Sequence, residues 1–376
     1  MPSRRFFLTA YLLLALLHMY IGLRLIPALP GGTAVHVTTG LFLLASTALI
    51  PQGLLARSCE ADRLAWVSLL LMGLFSSLLV FTLLRDLALL LTGLFAADAA
   101  WHAALAADSA IGVIAFSGIA SLLGLLNARR RARIVKVDIP IANLPEALHG
   151  FSIVQISDIH VGPTIKRRYL DAIVDAVNQL EADLVAVTGD LVDGSVDKLG
   201  MHTEPLSRLK ARHGSYFVTG NHEYYSGAIA WTDELTRLGL RVLNNEHVVL
   251  AHAGAQIIIA GVTDYSAHLF HPEQRSDPLG AIAGAPAGPK ILLAHQPRSA
   301  FAAAGAGYDL QISGHTHGGQ FWPWNHFVRF QQPFTAGLRH VNGLLVYISR
   351  GTGYWGPPKR FGAPSEITRL RLVRPE

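Results

Sequence analysis

Four apolar runs, at about residues 6–26, 35–56, 64–84 and 109–127, constrain this 376-residue chain more than any other feature. Each is about as long as a helix needs to cross a ~30 Å hydrocarbon core. Four in succession are hard to bury inside a soluble domain, so the spacing predicts a four-helix transmembrane region over residues 1–128. Charged residues make up only 15% of the chain, and the deficit falls mainly in this first third. Residues 87–97 can be read two ways, as a continuation of the third helix past Arg85-Asp86 or as an interfacial segment. His18, His36 and His102 fall in or near the runs. Intramembrane polar groups often carry function, but helix packing is the expectation here.

The arginines set the expected orientation. Arg4 and Arg5 precede the first run, Arg57 and Arg63 lie between the second and third, and Arg129, Arg130, Arg131 and Arg133 follow the fourth. The segments 27–34 and 95–108 hold no Lys or Arg. With four spans, every basic cluster falls on one side, which the positive-inside rule assigns to the cytoplasm. The expectation is a multi-pass inner-membrane protein with a cytoplasmic C-terminal domain. The start, Ser3-Arg4-Arg5-Phe6-Phe7-Leu8, resembles a twin-arginine export signal, which would place that domain outside. The run lacks a small-residue cleavage site and three further spans follow, which favours the cytoplasmic reading. The net charge of +5, from 31 basic and 26 acidic residues, therefore speaks first of topology. Cys59 is the only cysteine, so an intrachain disulfide and a cysteine-based zinc site are excluded, and any metal must be held by nitrogen and oxygen.

After a basic linker and first strand at 129–150, the pattern changes to short β-branched runs alternating with amphipathic stretches over residues 151–376. Such alternation predicts an α/β sheet covered by helices. Ligands gather at the carboxyl ends of strands in such folds. Five predicted strand ends carry polar groups in order: Asp158-Ile159-His160, Gly189-Asp190, Gly220-Asn221-His222-Glu223, Ala294-His295 and Gly314-His315-Thr316-His317. One Gly-Asp or Asn-His is ordinary turn chemistry. Five in order, each after an apolar β run, are not. His315 and His317 stand two apart after a buried run, and such residues on an extended segment point the same way, toward one metal or two adjacent ones.

The set counts two carboxylates (Asp158, Asp190), four imidazoles (His160, His295, His315, His317) and one carboxamide (Asn221). Seven N/O groups are too many for one tetrahedral zinc and suit two divalent ions about 3.5–4 Å apart with a bridging carboxylate. Two dications against two carboxylates leave the site positive, as a phosphate requires. His222 is free to bond the phosphate and protonate a leaving oxygen, with Asp193 orienting it. Mn, Fe, Zn and Mg all accept such ligands.

At these residues the chain resembles the calcineurin-like metallophosphoesterases, whose signature is D-x-H, G-D-x-x-D, G-N-H-[DE], a lone His and G-H-x-H. The resemblance covers roughly residues 151–373. The tail, from Ser349-Arg350-Gly351 through Arg360-Phe361-Gly362-Ala363-Pro364 to Glu366, with Gly318-Gly319-Gln320 after the last His, is similar to the bacterial YaeI/YkuE branch. The resemblance implies a four-layered α/β/β/α sandwich. It also implies Asp158, His160 and His317 on one metal, Asn221, His295 and His315 on the other, Asp190 bridging, and His222 as the catalytic imidazole. Some members of the branch act on a lipid A precursor, so a lipid-linked phosphorylated substrate at the bilayer surface is the first expectation. A cyclic-nucleotide phosphodiesterase or nuclease with the same site is a second, and a non-catalytic membrane sensor a third. The tether, and the lack of a basic-aromatic stripe, disfavour nucleic acid.

Overall fold

The computed structural model describes residues 4–55, 62–95 and 98–375, so Ser3, Arg57 and Cys59 lie outside the described residues. The chain divides into two compact units, Met1–Leu126 with Gly356–Lys359 and Asn127–Trp355 with Arg360–Glu376.

Four long helices, α1 (Arg4–Leu25), α2 (Gly32–Leu55), α3 (Asp62–Gly93) and α4 (Ala99–Arg129), build the first unit among the described residues. Each contains a stretch long and apolar enough to cross a membrane. The helix of the third span continues through Arg85 and Asp86 to Gly93, the first of the two readings of that stretch, and that of the fourth begins at Ala99, ahead of the apolar run at 109–127. The charges do not end α3 because they are satisfied in place. Asp86 accepts from the Tyr20 hydroxyl (2.6 Å) and Arg24 Nε (2.7 Å), and Arg85 donates to Ser109 Oγ (3.1 Å) and the Ala106 carbonyl (2.8 Å). Paired polar groups are tolerated where lone ones are not. The three histidines pack helices together. His18 stacks on Phe75 and lies 3.0 Å from Ser46 Oγ, His36 reaches the Leu29 carbonyl and His102 the Leu89 carbonyl.

In the second unit, two six-stranded mixed sheets face each other. The first has the order β1 (Arg133–Pro140), β12 (Glu366–Val373), β2 (Ser152–Ile156), β3 (Leu184–Thr188), β4 (Ser215–Val218) and β5 (Arg241–Val242). The second runs β10 (Gly337–Val341), β11 (Leu344–Ile348), β9 (Leu310–Ser313), β8 (Lys290–Leu293), β7 (Ala255–Gly261) and β6 (Glu246–His252). Strands β2, β3 and β4 are parallel, as are β7, β8 and β9. Their residues are almost wholly buried, which is why they read as continuous apolar runs rather than alternating ones. Ile153, Leu184 and Ala186 of the first sheet pack on Ile257, Ile291 and Leu310 of the second.

Helices cover both outer faces. α5 (Arg167–Asn178) buries Leu170, Ile173, Val174 and Val177, spacings that form one helical face. With α6 (Val196–Thr203) and α8 (Ala228–Arg237), whose Trp231 and Leu235 are buried, it closes the first sheet. α9 (Pro278–Ala281) and α10 (Ala300–Ala306) close the second through small alanines. The result is the α/β/β/α sandwich expected from the sequence.

Candidate metal centre

Parallel strands place their carboxyl ends along one edge, and both sheets bring theirs to the same place. β2 is followed by Asp158 and His160, β3 by Asp190, β4 by Asn221 and His222, β8 by His295, and β9 by His315 and His317. Asn221 and His222 open a short helix, α7 (Asn221–Ser226). The chain turns away at these ends through unusual backbone. Asp158, His160, Asp190, His315 and His317 all have positive φ, between +52° and +71°. L-residues enter that region at a cost of roughly 1–2 kcal/mol each, and such strain collects at functional sites. The surrounding packing leaves no room for alternatives. A Cβ on Gly314 would stand 2.0 Å from Ser157 Oγ and 2.2 Å from an Asp158 carboxylate oxygen, and one on Gly220 would stand 2.2 Å from Asp190 Oδ1.

Among the described residues three groups of donors result, the first two sharing His160, each with its ligand atoms within 4.8 Å of one another: Asp158, His160 and His317; His160, Asp193 and His222; and Asp190, His295 and His315. His160 Nε2 and His317 Nε2 lie 3.0 Å apart, and His317 Nε2 lies 3.5 Å from Asp158 Oδ1. His295 Nε2 is 3.1 Å from Asp190 Oδ2 and 3.2 Å from His315 Nδ1. Asp190 Oδ2 is also 3.9 Å from His160 Nε2, so it lies between the first and third groups. Asn221 Oδ1 is buried and has no hydrogen-bond partner. A buried oxygen without a donor is costly unless a cation faces it. These N/O donors, chemically matched to divalent metal, fit the ion pair read from the sequence.

His315 and His317 do not stand on an extended segment: with φ of +71° and +52° the chain turns there, entering a 3-10 turn at His317, and the two rings go to different groups, one of the two arrangements read from their spacing.

Second partners fix the rings. Thr188 O lies 2.8 Å from His295 Nδ1 and Asp193 Oδ1 lies 3.1 Å from His160 Nδ1, which leaves each Nε2 for a ligand. Asp193 also takes His222 Nδ1 at 2.5 Å, so one carboxylate orients two imidazoles. Glu223 is buried and accepts from the backbone N–H groups of Asp190, Leu191 and Gly220 at 2.7–3.0 Å, which ties the β3 and β4 turns together. With its amide oxygen facing the surrounding donors, Gln332 accepts from His315 Nε2 (3.0 Å) and from Arg298 (3.0 Å), which leaves His315 Nδ1 for a ligand. Arg360, only 1% exposed, donates to the His317 carbonyl (2.8 Å) and lies 3.0 Å from His317 Nδ1. The sequence drew Asp193 as a partner of His222 alone and assigned no role to Glu223. Gln332 carried no sequence signal toward the site, and Arg360 was noted only as part of the tail that resembles the YaeI/YkuE branch, with no role assigned.

The electrostatics sort the groups. Desolvation pushes Asp158 above the usual carboxylate range, and His295 opposes it. Asp190 is equally desolvated, but the His295 and His222 charges hold it well below that range. Burial would lower His222, but Asp190 and its bond to Asp193 win and push it up to about 9. Burial, aided by His295, drives His315 down to about 3. His317 is lowered by burial and then by Arg360. His315 and His317 are thus in the neutral form that metals require, whereas His295, raised well above its ordinary value by Asp190 against the pull of burial, must give up its proton to bind one.

Residues 151–319 match the family model described as calcineurin-like phosphoesterase. The chain is 31% identical to an uncharacterized metallophosphoesterase of Aquifex aeolicus, over 64% of this chain and 91% of that protein. It is 31% identical to YkuE, an uncharacterized metallophosphoesterase of Bacillus subtilis, over 61% of this chain and 81% of that one. The chain therefore belongs to the calcineurin-like metallophosphoesterases. It is also 40% identical to a transmembrane protein with metallophosphoesterase domain of Danio rerio, over 68% of this chain and 61% of that protein. The chain thus spans about three fifths of the length of that relative.

Proposed function

We propose that this chain is a membrane-anchored, dinuclear-metal phosphoesterase that hydrolyses phosphate ester or pyrophosphate bonds of a lipid-linked substrate at the membrane surface. The carrying observation is the convergence of the donor groups on Asp190, with the unpartnered Asn221 oxygen beside them. Asp158, His160 and His317 would hold one ion, Asn221, His295 and His315 the other, with Asp190 within reach of both groups. When bound, a pair of divalent ions (Mn, Fe, Zn or Mg) neutralises phosphoryl charge and lowers the pKa of water to about 7. His222 does the proton work. Its Nδ1–H is held by Asp193, and its Nε2 lies 3.9 Å from Asp190 Oδ2. Kept protonated at neutral pH, it donates from Nε2 to the leaving oxygen.

The lipid-linked character is supported by the surroundings of His222. Tyr225, 62% exposed, and Trp355, 45% exposed, lie 5.2 and 5.7 Å from its ring, and Phe270 lies 5.6 Å from Tyr225. Exposed aromatics beside a polar centre suit an amphiphile with an apolar body. The arginine distribution supports a cytoplasmic face of the inner membrane.

The test pairs elemental analysis of protein purified without added metal with a substrate panel of bis-p-nitrophenyl phosphate, single-stranded DNA, a cyclic nucleotide and detergent-solubilised lipid phosphates. We expect two ions per chain and hydrolysis favouring the lipid phosphates, both lost in Asp190→Asn. Preference for DNA or the cyclic nucleotide would replace the substrate assignment. Inactivity on every ester, with no change of metal content in the variant, would favour a sensor.

A further inference from the structure

The basic residues after α4 do not all behave as solvated surface charge. Asn127, Arg130, Arg131, Arg133, Arg360 and Ser365 line a cleft of about 290 Å³ within the second unit. A water occupies roughly 30 Å³ in the liquid, so a phosphate with part of its hydration fits. The lining holds four arginines and no acidic residue. Several other arginines of this unit meet carboxylates. Arg208 meets Asp171 and Asp175, Arg237 meets Glu204 and Glu234, Arg350 meets Glu366, Arg371 meets Asp138 and Arg374 meets Glu146. Among the described residues Arg130, Arg131 and Arg133 have no carboxylate within ion-pair reach; Arg130 reaches only Asn127 Oδ1, at 3.5 Å.

Arg360 adds a second, independent observation. Its guanidinium is buried, and its hydrogen bonds go to carbonyls of Gly353, His317, Arg350 and Ala363 and to His317 Nδ1. No carboxylate bonds to it, so the wall of the cleft carries a buried positive charge without a directly bonded counter-ion. Buried charges are ordinarily paired. The missing charge has a place to sit in the adjoining cleft, where three further guanidinium forks face one phosphate-sized volume.

We infer that this cleft is a second anion site, which takes a phosphate-bearing group: the headgroup of an anionic lipid or a free phosphate ester. It is separate from the metal centre and requires no metal. The bonds from Arg360 to His317 connect the wall of the cleft to the centre.

The test uses the full chain in detergent, with its metals, at 0.15 M salt so that diffuse attraction is screened. Binding of short-chain phosphatidylglycerol and of inorganic phosphate is measured for the parent, for Arg131→Gln/Arg133→Gln and for Ser365→Asp. The last plants a carboxylate in the cleft and removes no arginine, so the charges that orient the spans are untouched. We expect saturable binding of one lipid per chain, weakened at least tenfold in both variants. Displacement of the lipid by millimolar inorganic phosphate identifies a free phosphate ester as the source, and indifference to it identifies the headgroup. Absence of saturable binding by either probe overturns the inference. So does equal binding by the parent and Ser365→Asp, which would assign any phosphate uptake to the metal centre.

Discussion

Gln332 shows how a ligand is aimed by a residue that never touches the metal. A neutral imidazole has one donor and one acceptor nitrogen, and whichever carries hydrogen cannot bind a cation. Gln332 takes the hydrogen on Nε2 of His315, and Arg298 holds the amide that takes it. Gln332→Ala frees the ring to adopt the other tautomer. Removing such a partner costs about 10–100-fold in metal affinity. The expected result is that loss for one of two ions in competition titrations with a chelator, with the other ion unchanged. Gln332→Glu keeps an acceptor oxygen at the same place and restores most of the affinity. A structural role alone would weaken both ions and would not respond to the acceptor.

At the scale of elements, the strands do two jobs at their two ends. The carboxyl ends carry the metal donors. At the opposite end His213, just before β4, reaches His252 at the end of β6, with Nε2 and Nδ1 3.0 Å apart, and so pins one sheet to the other. Phe151 lies against both rings, and Asp183 bonds Ser152 at the start of β2. Burial, with the charges of His252 and Arg212, lowers His213 from its ordinary value. The folded protein therefore binds fewer protons here than the unfolded chain does. The stabilisation is present above the unfolded value, near 6.5, and is lost as pH falls below it. We expect Tm to drop between pH 7.5 and 5.5, and to drop less in His213→Gln. An equal drop in the two proteins would remove this pair from the account of acid sensitivity.

The same division explains what the sequence disclosed. The gathering of the donor residues was legible because a strand end is both a local pattern and a place in the fold, so Asp158 or Asn221 could be located by the apolar run before it. The sandwich was legible from the buried parallel strands for the same reason. Gln332 lies on a stretch of 3-10 turns with no period to read, and its meeting with His315 is a product of tertiary folding alone. Arg360 stood out only as part of the branch-like tail, and its place against His317 depends on its burial. Whether the third helix runs past Arg85-Asp86 was open in the sequence, and the start of the fourth at Ala99 was not visible there. Whether Arg85 can be carried within a helix depends on Ser109 and Ala106, which its own window does not contain.

For the whole molecule, the paired features are a membrane region and a phosphoesterase domain, and the open question between them is sidedness. The basic residues at the start of α1 and from the last residue of α4 onward predict that both ends lie on the cytoplasmic side. A reporter fused after Glu376 that works only in the cytoplasm should be active, and one that works only outside should be silent. The reverse pattern would mean that Ser3-Arg4-Arg5-Phe6-Phe7-Leu8 acts as an export signal, and would move the substrate to the other leaflet.

The position of β12 has a consequence for how such a chain is made. β1, the first strand after the membrane helices, reaches the rest of its sheet only through β12, with which it pairs from Arg133↔Glu366 to Pro140↔Val373. A ribosome that stalls before codon 366 would release a protein already threaded into the bilayer with a gap between β1 and β2. The fragment would offer two raw edges to any passing strand. Completion of the domain thus waits on a strand made after the other eleven of the two sheets, and until it is made the gap stays open.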